Sequence, residues 1–86
     1  MAGNIEGYKR LNQDPRIVSG EVAITGTRVP VWIIGETNHM SGRGIRALRE
    51  DYPHLSRAGI REALQYYYTH PEEMARVRRF QQVHLA

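Results

Sequence analysis

Residues 50–73 read EDYPHLSRAGIREALQYYYTHPEE. Pro53 disfavours helical backbone at Tyr52, so a helix entering this stretch from the N-terminal side ends there. Ser56 is a good helix cap. Beyond it Ile60, Ala63, Leu64 and Tyr67 recur at helical spacing. The spacing predicts a helix from Arg57 to about Thr69. Arg57, Ala58, Arg61, Gln65 and, at its margin, Glu62 point away from the apolar stripe. Pro71 suits the first position of a further helix, where a missing N–H is harmless. That helix carries Glu72 and Glu73 in its first turn and Arg76, Arg78 and Arg79 further on, as the helix dipole prefers.

Working backward, Ile45 and Leu48 share a face, with Tyr52 one turn on. They define a shorter helix from about residue 44 or 45 to Asp51, preceded by the breaker SGRG (41–44). Further back, ITGTRVPVWII (24–34) alternates up to Pro30 and then becomes continuously apolar. Residues 16–18 and 23–25 read as short extended pieces. Gly26-Thr27 suits a type II′ hairpin, whose first central residue needs positive φ. Pro30 is placed to open a helix over VWIIGETNHM. Residues 1–13 are polar and without period, and are expected to be a loose arm.

The chain has 86 residues, enough for one domain. A domain of this size buries only about 60–65% of its unfolded surface. It has no cysteine to reinforce the core, and small uncrosslinked domains gain stability by pairing, so a homodimer is expected. No apolar run approaches membrane-span length and MAGNIEGYKR has no apolar signal core, so the expectation is a cytoplasmic protein with no membrane contact. Net charge is +3, and eleven of the twelve basic residues are Arg, the side chain that grips phosphate, guanine and carboxylate in flat two-toothed bonds. Residues 1–39 are neutral overall, whereas residues 40–70 carry net +2 and residues 71–86 net +1.

A short helix, a tight turn and a longer helix form a helix-turn-helix candidate, in which the later helix enters the major groove of duplex DNA. Ile60, Leu64 and Tyr67 would dock that helix. Arg57, Arg61 and Gln65 would offer guanine- and adenine-matched donors. Ser56 and the backbone N–H groups beside it would approach phosphate. Arg46 on the shorter helix and Arg28 in the 24–34 turn are further candidate DNA contacts. For Arg28 the favoured reading is a structural one, pairing with a carboxylate or a helix end, and the sharper alternative is a phosphate or dimer contact. Tyr66, Tyr67 and Tyr68 span most of a helix circumference and cannot all face one ligand, so packing accounts for them better than base stacking. His39, His54, His70 and His84 lack metal-site spacing. No nucleophile-base pair, phosphate loop or cofactor motif is present, and enzyme activity is not expected.

DPRIVSGEVAITGTRVPV, followed by EDYPHLSRAGIREALQYYYTHPEE, resembles the small bacterial proteins of the uncharacterised-domain family numbered 433, over about residues 14–73. The resemblance implies a mainly α fold: a three-helix, homeodomain-like helix-turn-helix behind a short N-terminal β-ribbon, with a C-terminal helical extension. It also implies a VapB-type antitoxin that neutralises a PIN-like ribonuclease toxin and represses its own operon by binding double-stranded operator DNA. The family usually caps its second helix with Ser or Thr. Here either Gly44 stands at that position or Ser41 caps a longer helix. The expected division is an arm over 1–13, a ribbon and helix-turn-helix domain over 14–70, and a possible toxin-binding segment over 71–86. On that last segment Met74, Arg76, Val77, Arg78, Arg79 and Phe80 are the candidate partner contacts, the arginines suited to a carboxylate-lined active site.

Overall fold

The computed structural model describes residues 3–85. The chain is mainly helical, with four helices behind a small three-stranded antiparallel sheet. Strands β1 (Gly3–Asn4), β2 (Leu11–Gln13) and β3 (Val22–Ile24) lie in that order. Leu11 pairs with Ile24, Asn12 with Ala23 and Gln13 with Val22. Strands this short have no stability alone, and this sheet is held by what it covers: Leu11, Val22 and Ile24 are all buried in the helical core.

Three expectations are corrected here. In the stretch expected to be a loose arm, residues 3–13 form the β1–β2 hairpin, pinned by Leu11, which is 0% exposed. Met1 and Ala2, its first residues, and Ala86 at the far end lie outside the described residues. The reversal at 24–30 is also different. β3 pairs backward with β2, and the chain beyond the turn adds only the Ala23–Pro30 bridge and a 3.0 Å bond from Ile24 N–H to Val29 O. Thr27 N–H donates to Ile24 O at 3.1 Å, so Gly26, at φ +80°, is the second central residue of the turn and not the first. The Thr27 hydroxyl completes it, donating to Ile24 O (2.7 Å) and accepting from Val29 N–H (3.1 Å). Residues 16–18, expected to be extended, lead instead into a 3-10 turn over Val18–Gly20, with Ile17 N–H bonded to Asp14 O at 2.9 Å.

Helix α1 (Val31–Ser41) starts directly after Pro30 and ends at Gly42, whose φ of +68° makes the left-handed cap. Because Ser41 closes α1, it does not cap the next helix. Gly44 does, without a side-chain bond, and α2 spans Ile45–Asp51. Leu55, 2% exposed, anchors the turn that follows. Helix α3 (Arg57–Thr69) starts where expected, with the Ser56 hydroxyl accepting from Gly59 N–H at 2.9 Å. Replacing Ser56 by alanine leaves that donor open and is expected to cost about 1 kcal/mol of stability in urea unfolding, with Ser56→Asp retaining most of it. Helix α4 (Pro71–Leu85) opens on Pro71.

The core is built where α1, α2 and α3 meet beneath the sheet. Leu11, Val31, Ile34, Leu48 and Ile60 are its fully buried large side chains. Helices α1 and α3 approach closely where Gly35 faces the Tyr67 ring. Tyr66 and Tyr67 are each 6% exposed, whereas Tyr68 is 51% exposed. Tyr66 meets Tyr8 edge-on at 5.5 Å and stacks on His70 at 3.8 Å.

Candidate nucleic-acid interface

Helix α3 has two sharply different sides. Gly59, Ile60, Ala63, Tyr66 and Tyr67 are buried. Arg57, Arg61, Gln65 and Tyr68 are exposed, at spacings of four, four and three, and so form one stripe along the opposite side. The side chains of Arg57, Arg61 and Gln65 have no hydrogen-bond or ion-pair partner among the described residues, so this stripe carries two uncompensated guanidinium groups and an amide.

The helix differs from the expected stripe at three residues. Leu64 is only half-buried, and Tyr66 is among the core residues beside Tyr67. Glu62, expected near the outer side, has a side chain only 13% exposed and takes both the backbone N–H (2.8 Å) and the guanidinium (3.1 Å) of Arg10. The one acid of α3 is thereby matched by a cation from the N-terminal hairpin. No sequence signal marked that pair, whose members are 52 residues apart.

The other candidate contacts are scattered. Ser56 is exposed beside Arg57, but its hydroxyl is committed to capping. Arg46, on α2, and Arg28, in the loop after Gly26, are exposed and unpaired among the described residues. The structural pairing considered for Arg28 is not seen. Arg43 is occupied: it holds Asp51 with two bonds, 2.7 and 3.1 Å.

The six residues proposed for partner contact on α4 do not form one surface. Met74 is 3% exposed and belongs to the core. The Arg78 guanidinium is bound to Glu36 of α1 at 2.5 Å, and the Tyr67 hydroxyl of α3 donates to the same carboxylate. Glu36 therefore ties three helices together. What remains outward on α4 is Arg76, Arg79 and Phe80, with Val77 half-buried. Arg76, Val77 and Phe80 line a cleft of about 270 Å³ with Glu21. Glu21 receives the Gln81 amide at 3.1 Å, and burial pushes its carboxyl above the usual range.

The hydrogen bond from Arg78 holds the Glu36 carboxyl below the usual carboxylate range, against the opposing effect of burial and with the Tyr67 hydroxyl assisting. Tyr67 is pushed up to about 12 by burial and by Glu36. A carboxylate whose folded pKa lies below its unfolded value of about 4.3 gives stability that is complete above that value and lost as pH falls through the folded one. Glu36→Gln is therefore expected to lower stability near neutrality by about 1 kcal/mol, discounted for the partial exposure of Arg78. The difference should close as pH is lowered from about 5 toward 2, followed by circular dichroism in urea. A gap independent of pH would contradict it.

Among the described residues no cluster of His, Cys, Asp or Glu could hold a metal ion, and no helix is long and apolar enough to cross a membrane.

A sheet-covered helical fold with this α2–turn–α3 arrangement matches a known family, and the chain belongs to it: the family is described as protein of unknown function (DUF433), and its model matches residues 11–67. The match runs from β2 to Tyr67 and stops short of α4. Among solved structures the chain is similar to a DUF433 member protein from Anabaena variabilis, at 28% identity and a TM-score of 0.68 over 78% of this chain. The chain spans 65% of that protein's length. No curated protein matches it.

Proposed function

We propose that this chain is a cytoplasmic, non-enzymatic DNA-binding antitoxin. In this reading α2, the turn at 52–55 and α3 act as a homeodomain-like helix-turn-helix that represses the chain's own operon. The protein pairs as a homodimer, so that its two α3 helices reach successive major grooves of a palindromic operator about 34 Å apart. The observation that carries the DNA half is the stripe of Arg57, Arg61 and Gln65, exposed and unpaired on a helix whose other side is locked into the core. Long donors held on a rigid element, with no acid among the described residues to satisfy them, are what base edges and phosphates require.

The antitoxin half rests on the resemblance to VapB-type proteins, with a PIN-like ribonuclease as the partner. Arg76 and Arg79, flanked by Val77 and Phe80, supply chemistry suited to a carboxylate-lined active site. Arg78 would reach such a site only by releasing Glu36.

The test is a gel-shift titration of the full chain on duplex DNA from upstream of its gene at about 50 and 200 mM salt, together with co-purification with the neighbouring gene product. Binding that weakens steeply with salt is expected, because each neutralised phosphate releases counterions. Absence of any shift at the lower salt would defeat the repressor half. Partner capture without DNA binding would then select a second reading, a neutralising module alone, which the modest net charge of +3 favours. DNA binding without a partner would select a solitary regulator.

A further inference from the structure

We propose that the cleft between the N-terminal hairpin and the start of α3 is a second seat for duplex DNA, where Lys9 grips a backbone phosphate while the α3 stripe faces the groove. The inference rests on the DNA-binding reading above and adds to it a contact made by a segment that looks, in sequence, like a loose arm. The cleft is about 330 Å³ and is lined by Lys9, Arg10, Thr25, Thr27, His54 and Ser56. Among the described residues no carboxylate lines it, and the acid of α3, Glu62, is already matched by Arg10. Lys9 has no hydrogen-bond or ion-pair partner among the described residues, so its ammonium is the cleft's uncompensated charge.

The position of Lys9 is fixed from both sides. Before it, Tyr8 packs edge-on against Tyr66 of α3, and its N–H donates to Ile5 O at 3.0 Å, closing the turn at Gly7. After it, Arg10 is bonded through backbone and guanidinium to Glu62, and its carbonyl accepts from Thr25 N–H at 2.8 Å. The turn that carries the cation is thus pinned, through Tyr8 and Arg10, to the helix that carries Arg57 and Arg61. The cleft and the stripe adjoin along the chain: Ser56 lines the cleft, and Arg57, the first residue of the stripe, follows it. A duplex laid on the stripe would bring its phosphate edge to this cleft, with the His54 ring and the Thr25 hydroxyl as further hydrogen-bonding groups. Charge complementarity selects the occupant: the unpaired Lys9, with no carboxylate among the described residues that line the cleft, fits a polyanionic backbone, and such contacts set register without reading sequence.

The experiment is a fluorescence-anisotropy titration of the full chain on two labelled duplexes, one from upstream of its gene and one of unrelated sequence, across about 50–200 mM salt. Each phosphate contact contributes about 0.9 to the slope of log affinity against log salt, or about eight-fold in affinity at 0.1 M. Lys9→Gln, a change at an exposed and unbonded side chain, is expected to lower the slope by about 0.9 and the affinity about eight-fold on both duplexes alike, with Lys9→Arg restoring both. If Lys9→Gln matches the unaltered protein while Arg61→Gln loses affinity, this contact is refuted and the α3 reading survives. If the unaltered protein binds neither duplex at the lowest salt, both are refuted together.

Discussion

Replacing Gly35 by alanine is expected to destabilise the protein by about 3 kcal/mol, at the upper end of what overpacking a core produces. A Cβ built on Gly35 lies 2.0 Å from both Cγ and Cδ1 of Tyr67 and 2.7 Å from its Cβ. These are atoms at the root of the ring, not at its free end, so no rotamer change clears them. Either α1 or α3 must move, and both are anchored, by Ile34 on one side and Ile60 on the other, each 0% exposed. Moving them also strains the Tyr67–Glu36–Arg78 link to α4. In a domain this small each kcal/mol shifts the melting midpoint by about 4–8 °C, so a drop of roughly 12–24 °C is expected. Combining Gly35→Ala with Tyr67→Ala should be less damaging than the sum of the two, because the second change removes the Cγ and Cδ1 that the new Cβ meets. A Gly35→Ala protein melting within a few degrees of the original would show that the helices are not this close.

Removing both guanidinium groups of the α3 stripe, Arg57→Ala with Arg61→Ala, is expected to weaken duplex binding by at least about 30-fold. Each well-placed arginine contributes about 1–3 kcal/mol to base or phosphate recognition. Two together give about 2–6 kcal/mol, or roughly 30-fold to 10⁴-fold in affinity. Stability should stay within about 0.5 kcal/mol, because both residues are exposed and hold nothing among the described residues. Anisotropy titration and urea unfolding on the same preparation separate the two effects. Undiminished binding by a folded double variant would exclude this side of α3 as the contact.

The limits of α3 and the start of α4 were legible because local signals agreed there: Pro53 stops one helix, Ser56 caps the next, and Pro71 opens the last. The α2 start was not, because glycine caps without a side-chain signature and Ser41 offered an equally good one. Two- and three-residue strands lie below the length at which alternation can be recognised. That is why residues 3–13 read as an arm although Leu11 is part of the core.

The candidate interface divides in the same way. The Arg57, Arg61 and Gln65 stripe follows from helical spacing alone. Met74 and Arg78 read as outward members of α4, yet one is buried in the core and the other is bound to Glu36.

Sequence by itself determined where α3 and α4 run and which side of α3 carries its cations, since caps, prolines and a 3.6-residue period act within one or two turns of chain. Tertiary structure alone decided which charges are free. Arg10 with Glu62 and Arg78 with Glu36 are separated by 52 and 42 residues. Only the folding of the hairpin and α4 against the other helices brings their opposite charges within bonding distance, and among the described residues it leaves Lys9, Arg57 and Arg61 without acids of their own.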